Sequence, residues 1–235
     1  MKLRTNHHSI KANNRYKYYA IAKKLLKPLD DPDLYTVQTL ILMVIYLMCS
    51  YKMSLCYTHL GAALRAAQRL GLHRKLDYKF TPIELEERKR TFWAAYNIER
   101  YIAPLEKWLI LRYLNCVLGL PASLRDDDID QDMPAEIDDE FITEWNILSQ
   151  PADQPSIATG CNVYTRLMGI ISKITKYIYP LKAPLVDGKG LIRLELVKEI
   201  EQDLERWRTS IPEHLVQPAK DSRFFKYRSL SFEGC

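Results

Sequence analysis

Apolar residues recur at three- and four-residue intervals along most of the chain, which is the period of an amphipathic α-helix. Short clusters of proline, glycine and charged residues separate these stretches and mark where each helix ends. The pattern predicts six helices, with these bounds: Tyr16 to Leu29, Leu34 to Tyr51, Ser54 to Leu70, Pro82 to Ile102, Ile157 to Ile178 and Leu191 to Ser210. No stretch keeps the alternation of a half-buried strand. We therefore expect an all-α chain, an irregular bundle of six or seven helices with a long acidic loop.

Several of the predicted helix ends carry capping signals. Ser54 is the expected N-cap of the third helix, and Gly71 lies where a left-handed C-cap is expected. Thr81 and Glu84 form the signature of a capping box at the start of the fourth helix. The second helix, Leu34 to Tyr51, is apolar nearly all round, which is typical of a buried central helix.

The composition is that of a globular protein, since 47% of the residues are hydrophobic and 27% are charged. The longest apolar run, Leu40 to Cys49, has ten residues, whereas a membrane span needs about 20, so we expect no membrane partner. The first residues lack the apolar run of a secretory signal, and five cysteines are too few for a disulfide scaffold. Free thiols in a reducing intracellular compartment are the expectation.

Charge is distributed unevenly along the chain. Residues 1–27 contain eight basic residues and no acidic one, and residues 126–144 contain ten acidic residues and no basic one. The basic start is either a nucleic-acid contact or a solvated tail that leads into the first helix. The residues 126–144, called the acidic segment below, are either a metal-binding or activation surface or an exposed loop.

Residues with catalytic or metal-binding chemistry are few. The glycine patterns that cradle phosphates and the nucleophile elbow of hydrolases are absent from the sequence. Cys56 and His59 lie three residues apart on one predicted helix, but a structural zinc site needs four ligands, so a packed core thiol is the favoured interpretation. Asp126, Asp127 and Asp130 match the D-D-x-x-D pattern with which all-α prenyl-transferring enzymes hold magnesium against a diphosphate.

Three stretches follow one another in an order that is specific as a set. They are Ala62 to Arg74 (AALRAAQRLGLHR), Glu84 to Arg100 (with ERKRTFW followed by IER), and Leu118 to Pro134 (LGLP, then DID and MP). They resemble the regulatory domain, or middle homology region, of fungal binuclear zinc-cluster transcription factors. In that family A-x-x-L-G-L-H-R is followed by E-x-R-R-R-x-F-W, and then by L-G-x-P, D-I-D and P. The later stretch Leu204 to Leu215 resembles the family's L-x-x-W-x-x-x-L-P-x-x-L helix end.

The resemblance implies structural roles, in packing and capping, for one set of residues. These are Gly71, Leu72, His73, Arg74, Glu87, Arg88, Arg90, Phe92, Trp93, Arg100, Gly119, Pro121, Asp128, Asp130, Pro134, Trp207 and Pro212. No catalytic, cofactor-binding or metal-binding residue is implied for this chain.

The resemblance also implies a function, that of a non-catalytic regulatory domain in a nuclear factor that controls transcription by RNA polymerase II. No cofactor is expected in this chain, and zinc and DNA contacts are expected only from a zinc cluster upstream of Met1. A small-molecule effector, a second copy of the chain and the transcription machinery are the candidate partners. The alternatives are an all-α magnesium-dependent prenyl transferase or terpene cyclase, and a structural helical adaptor that only mediates dimers.

Departures from the family pattern set the expected domain boundaries. Residues 1–33 are expected to form a basic segment and the first helix, 34–215 the regulatory domain, and 216–235 a truncated tail. Residues 103–116 lengthen the connection to the L-G-x-P turn, and we expect them to be an insertion; the alternative is an extra helical turn that begins at Pro104. The sequence contains no C-x-x-C pair, so the family's zinc cluster is not encoded in it.

Overall fold

The computed structural model describes residues 16–26, 30–50, 52–76, 80–105, 123–151, 154–177 and 194–216. These residues form seven α-helices: α1 (16–25), α2 (Leu34–Cys49), α3 (Met53–Arg69), α4 (Pro82–Leu105), α5 (Ile157–Tyr177), α6 (Leu194–Thr209) and α7 (Glu213–Val216). The described part of the chain has no β-strand, only an isolated bridge between Ile142 and Ile147. The all-α prediction is therefore confirmed. None of the helices in the described ranges has the length and apolar character that crossing a bilayer requires.

The chain divides into two compact units, and α4 contributes to both. The first unit contains the described residues up to 76 together with 88–99 and 123–131. The second contains 80–87, the end of α4 from residue 100, and the described residues from 132 onward.

The core of the first unit is the pairing of α2 with α3. Val37, Val44 and Leu47 of α2 and Leu64 of α3 are completely buried. Cys56 is 2% exposed, and its thiol donates to the carbonyl oxygen of Val44 at 3.8 Å. Burial raises the pKa of Cys56 to about 11, so the thiol is protonated at neutral pH. It is a packed core thiol, as expected.

The start of α2 is fixed by a capping box that the sequence analysis did not identify. The carboxylate of Asp33 accepts the amide of Thr36 at 2.8 Å, and the hydroxyl of Thr36 faces the amide of Asp33. This pairing satisfies two amides that the first helical turn leaves without intrahelical acceptors.

The prediction that α2 is buried all round is wrong. Tyr35, Leu42 and Ile45 are 72%, 66% and 44% exposed. They lie on the face of α2 opposite the α3 contact. That face makes only local contacts, through Tyr46 with Tyr19 and through Gln38 with Thr91. An all-apolar sequence does not reveal which faces will find a partner.

The end of α3 reverses direction through a left-handed glycine. Gly71 has φ of 67°, the amide of Leu72 donates to the carbonyl of Ala67 at 2.9 Å, and the amide of Gly71 donates to that of Gln68 at 3.0 Å. These two bonds make a Schellman motif, which returns the fully buried Leu72 to the helix. The predicted C-cap is confirmed at Gly71.

The predicted N-cap of α3 is wrong. The helix begins one residue earlier, at Met53, and Ser54 lies inside its first turn, while the N-cap residue Lys52 makes no capping bond with its side chain.

The first helix packs beside α2 and α3 through tyrosine. The ring of Tyr19 stacks on Tyr46 of α2 with centroids 5.0 Å apart and meets His59 of α3 at 6.3 Å. The helix ends at residue 25, earlier than the predicted Leu29, and residues 27–29 lie outside the described ranges.

The fourth helix begins with the predicted capping box. The amide of Thr81 donates to the carboxylate of Glu84 at 2.9 Å, and the amide of Glu84 donates back to the hydroxyl of Thr81 at 3.3 Å. In the first unit Phe92 is completely buried, whereas Trp93 is only half-buried and meets Phe92 edge-on. Phe92 is therefore the main apolar anchor of this helix.

The second unit has α5 and α6 at its centre. The indole N–H of Trp207 on α6 donates to the carbonyl of Val163 on α5 at 2.8 Å. Lys173 of α5 contacts the carboxylates of Glu199 and Asp203 on α6. Within α6, Ile200 is buried, whereas Leu194 at the start of the helix is 72% exposed.

Several boundary predictions fall outside the described residues. Helix α4 continues to Leu105, so the expected insertion 103–116 begins within a helix, but 106–122 are not described. Gly119 and Pro121, residues 1–15 of the basic start and residues 217–235 of the expected tail also lie outside the described ranges.

Substituting Gly71→Ala tests the left-handed cap. An L residue at this φ costs about 1–2 kcal/mol, and we expect the free energy of unfolding to fall by that amount in chemical denaturation of the full chain. The matched control is Gly160→Ala in α5, where an added Cβ would meet only Leu215 Cδ2 at 3.8 Å. This control should keep or raise stability, by up to about 1 kcal/mol. Equal losses in both variants would contradict the capping role.

Candidate functional site

The acidic segment is anchored through its backbone, although most of its carboxylates face solvent. Apart from two single turns of 3-10 helix, Asp126–Asp128 and Asp139–Phe141, it has no regular hydrogen-bonded structure of its own. Backbone polar groups in such a stretch need partners elsewhere. The expectation of a purely exposed loop is therefore only partly correct.

In the first unit, the segment pairs with the turn that follows α3. The amide of Asp130 donates to the carbonyl of His73 at 3.2 Å, and the amide of Lys75 donates to the carboxylate of Asp130 at 3.0 Å. The side-chain amide of Gln131 donates to the carbonyls of Leu72 and Arg74 at 2.9 and 3.0 Å. The backbone that follows Gly71 therefore provides the hydrogen-bond partners of residues 130 and 131.

His73 is held neutral in this arrangement. Burial and the neighbouring guanidinium of Arg74 lower the pKa of His73, and the carboxylates of Asp130 and Asp128 oppose that shift. At neutral pH the ring carries no charge. Protonation would place a cation beside Arg74, so the charged form is disfavoured in the folded chain.

Side chains from the middle of helix α4 form hydrogen bonds with the same region. The guanidinium of Arg88 donates to the carbonyl of Leu70 at 2.7 Å, which satisfies a group that the end of α3 leaves open. The hydroxyl of Tyr96 donates to the carboxylate of Asp126 at 2.9 Å, and the carboxylate of Glu99 accepts the amide of Ser123 at 2.6 Å.

In the second unit, two buried polar side chains form hydrogen bonds with the backbone of the segment around Pro134. The carboxylate of Glu86, 3% exposed, accepts the amide of Ala135 at 2.9 Å. The side-chain amide of Asn162, 2% exposed, donates to the carbonyl of Pro134 at 2.9 Å and to Glu136 at 3.2 Å. We call Glu86 and Asn162 the clamp residues.

Further along, the segment supplies the cap of α5. The carboxylate of Asp138 accepts the hydroxyl of Ser156 at 2.8 Å and the amide of Ile157 at 2.9 Å. The hydroxyl of Ser156 in turn accepts the amide of Ala158 at 3.1 Å. Asp138 is a carboxylate at a helix N-terminus, where the helix dipole favours negative charge.

The predicted motif residues that the structure describes occupy scaffold positions. Gly71, Leu72, His73 and Arg74 form the turn, Asp128 and Asp130 face it in the first unit, and Pro134 lies buried at the clamp. Arg100 is buried, Arg90 and Pro212 are half-buried, and Trp207 binds α5.

Glu87 is exposed and takes part in neither the turn nor the clamp. Counted back from Trp93, the E-x-R-R-R-x-F-W pattern places its glutamate at Glu86, the residue that is buried and clamps Ala135. This spacing is the sequence signal that identifies Glu86. Asn162 carries no such signal, since its partner lies 28 residues away.

The D-D-x-x-D residues do not share one helix face or one cavity. Asp126 accepts from Tyr96 in a 3-10 turn, and Asp130 accepts from the amide of Lys75 in extended chain. In the ranges that the structure describes, no three His, Cys, Asp or Glu side chains come together as metal ligands. Cys56 likewise contacts α2, while Nδ1 of His59 faces the carbonyl of Leu55 in its own helix.

Substituting Glu86→Ala tests the clamp. The amide of Ala135 loses a buried acceptor, which costs about 1–3 kcal/mol of unfolding free energy. The matched control is Glu87→Ala on the next position of the helix, which should change stability by about 0.5 kcal/mol or less because that side chain is exposed. Hydrogen exchange gives a local measure: the amide of Ala135 should exchange faster in Glu86→Ala only. Unchanged protection of that amide would show that Glu86 does not hold the segment.

Comparison with known proteins assigns this scaffold to a family. The chain is 37% identical over 211 residues to Activator of stress genes 1 of Saccharomyces cerevisiae, a match that covers 88% of this chain and 20% of that protein. It is 35% identical over 225 residues to Activator of stress genes protein 1 of Candida albicans, covering 88% of this chain and 22% of that protein. It is 28% identical over 196 residues to transcriptional activator protein acu-15 of Neurospora crassa, covering 82% and 19%.

The chain thus spans about a fifth of the length of these curated relatives. No solved structure matches it. Nothing in these matches supports the prenyl transferase alternative. The family model described as "Fungal specific transcription factor domain" matches residues 2–209. This chain therefore belongs to the fungal-specific transcription factor domain family.

Proposed function

We propose that this chain is a regulatory region of a nuclear fungal transcription factor and that it acts by binding and switching rather than by catalysis. The observation that carries the proposal is the match of the family over residues 2–209, together with relatives that are named as transcriptional activators. The geometry fits this role, because the motif residues described above cap helices and hold loop backbone. Such groups stabilise one arrangement of a scaffold, which is what a switch requires.

DNA contact, in this proposal, is made by a zinc cluster encoded outside these 235 residues. The acidic segment supports that division, since ten carboxylates without a basic residue repel a phosphate backbone. The first helix offers only Lys17, Lys23 and Lys24 as exposed cations among its described residues. Exposed lysines on a helix, without a motif that reads bases, provide weak and sequence-independent attraction to phosphates.

A titration of the full chain with fluorescent duplex DNA tests this division. We expect dissociation constants no tighter than about 1 µM, weakening strongly between 50 and 200 mM salt, and equal for unrelated sequences. Binding in the nanomolar range that discriminates between sequences would contradict the proposal. The control is a variant with Lys17, Lys23 and Lys24 changed to Gln, which should flatten the salt dependence.

A reporter assay tests the regulatory role itself. The chain is placed between an unrelated DNA-binding domain and a constitutive activation segment, and reporter output is compared with the same fusion lacking the chain. We expect the chain to change the output, and we expect Glu86→Ala to remove that change, because the clamp holds the acidic segment. Glu87→Ala should behave as the unsubstituted chain. Identical output with and without the chain would overturn the regulatory proposal.

A further inference from the structure

The acidic segment runs into a hairpin turn that presents a tryptophan to solvent. We call Phe141 to Leu148 the tryptophan turn. We propose that the basic, aromatic residues 220–228 of this chain bind the tryptophan turn and the carboxylates beside it. This inference goes beyond the regulatory role and does not depend on it.

Hydrogen bonds fix the shape of the tryptophan turn. The amide of Leu148 donates to the carbonyl of Phe141 at 2.8 Å, and the amide of Thr143 donates to the carbonyl of Asn146 at 3.0 Å. The hydroxyl of Thr143 donates to the same carbonyl at 2.6 Å. Trp145 lies between Thr143 and Asn146, so its backbone is ordered before a partner binds, which lowers the entropic cost of binding.

The apolar side chains of this turn are open to solvent. Trp145 is 82% exposed, more than any other large apolar side chain in the described ranges, and Ile147 and Leu148 are 43% and 48% exposed. A single exposed leucine is ordinary, but a cluster of large apolar side chains on an ordered turn marks an interaction site. Tryptophan is also one of the residues that contribute most to binding when a partner covers them.

The charge around the turn determines the chemistry of its partner. Residues 132–165 of the second unit contain seven acidic residues and no basic one. Glu140 and Glu144, beside and within the turn, are exposed. These carboxylates repel an acidic partner, including the same turn of a second copy. The complementary partner is a basic segment that also carries large apolar side chains.

The same chain encodes a segment of that composition. Residues 217–228, which lie outside the described ranges, have the sequence QPAKDSRFFKYR, with four basic, three aromatic and one acidic residue. An aromatic ring can pack on Trp145. A guanidinium or ammonium group can pair with the neighbouring carboxylates or lie over the indole. The sequence of this one chain thus contains both the surface and a segment that matches it in charge and apolar character.

The last described helix ends close to the base of the tryptophan turn. Asp138, three residues before the turn, accepts the amide of Ile157 at the start of α5. Leu215 of α7 lies against Gly160 in the same turn of α5, since a Cβ added to this glycine would be 3.8 Å from Leu215 Cδ2. The tryptophan turn and the chain that follows α7 therefore begin at the same end of α5.

The length of the connection allows the two segments to meet. Arg223 is seven residues beyond Val216, and Trp145 is seven residues beyond Asp138, so each can extend up to about 25 Å from that end of α5. A short tether of this kind gives an effective concentration of about 1 mM. A weak contact, with a dissociation constant of about 100 µM between separate molecules, then favours the bound form about tenfold.

Limited proteolysis of the full chain measures this contact. Chymotrypsin cleaves after aromatic residues, here Phe224, Phe225 and Tyr227, and a synthetic peptide of residues 217–235 gives the rate for the unbound segment. We expect cleavage in the full chain to be about tenfold slower than in the peptide. The ratio should be the same from about 1 to 50 µM chain, because a tethered contact does not depend on concentration. Equal rates, or protection that grows with concentration and so reports binding to another copy, overturn the proposal.

Charge reversal assigns the protection to the tryptophan turn. Glu140→Lys with Glu144→Lys, and separately Arg223→Glu with Lys226→Glu, should each bring the cleavage rate to within about twofold of a free peptide with the same tail sequence. The chain with all four substitutions should regain protection, because opposite charges meet again.

The matched control for the first pair is Glu195→Lys with Glu201→Lys on α6, which makes the same charge change at two exposed positions. This control should keep the protection of the unsubstituted chain. An equal loss in the control, or no recovery in the fourfold variant, overturns the assignment.

Substitution of the indole tests the apolar part of the contact. Trp145→Ser should also bring cleavage of the tail to within about twofold of the free peptide. The matched control is Tyr35→Ser on α2, where an aromatic side chain that is 72% exposed is removed and protection should remain. Circular dichroism and thermal unfolding establish that each variant is folded, and Trp145→Ser replaces any charge variant that is not. A Trp145→Ser chain that is folded and keeps its full protection contradicts the proposal.

Discussion

The backbone of the acidic segment needs hydrogen-bond partners that its own sequence cannot supply, and much of the structure follows from meeting that need. A stretch rich in aspartate and glutamate repels itself and forms neither a long helix nor a strand. In the first unit the amide of Asp130 donates to the carbonyl of His73, and the amide of Lys75 donates to the carboxylate of Asp130. In the second unit the buried side chains of Glu86 and Asn162 bind the amide of Ala135 and the carbonyl of Pro134. A buried carboxylate such as Glu86 needs hydrogen-bond partners, and the amide of Ala135 is one of them. Loss of such a bond leaves a buried polar group less well satisfied, which costs folding free energy.

The extent to which the sequence predicts this arrangement depends on how far apart the partners lie. Gly71 and Thr81 act on residues within four positions, and both caps are where the pattern places them. Ser54 shows the limit of even that reasoning, because a serine favours an N-cap but does not decide whether the helix begins a residue earlier. The grip on Pro134 involves side chains 28 and more residues away, and no local period records such a partner. The sequence analysis assigned the motif's glutamate to Glu87, whereas the family spacing counted back from Trp93 places it at Glu86.

Helix α2 illustrates the same limit for packing. Its sequence shows that nearly every face is apolar, but it does not indicate which faces pack against another helix. Val37, Val44 and Leu47 turn toward α3, and this explains their complete burial. Tyr35, Leu42 and Ile45 are equally apolar and remain exposed, because nothing else in the described chain covers them. The composition of a helix therefore sets an upper limit on its burial, while the tertiary partner decides how much of that limit is reached.

The way the acidic segment is held is compatible with the switching role proposed above. A buried anchor made of a few hydrogen bonds contributes about 0.5–1.5 kcal/mol for each bond, far less than the apolar contact of α2 with α3. Local opening of the segment is therefore the low-energy motion, and the helical core need not unfold for it to occur. A ligand or partner that favours one state by only a few kcal/mol is enough to shift the population between the held and the released segment. The carboxylates face solvent in the held state, so a partner of opposite charge can reach them before the segment moves. Apolar packing thus fixes the scaffold, and the weaker polar clamp leaves one part of it adjustable.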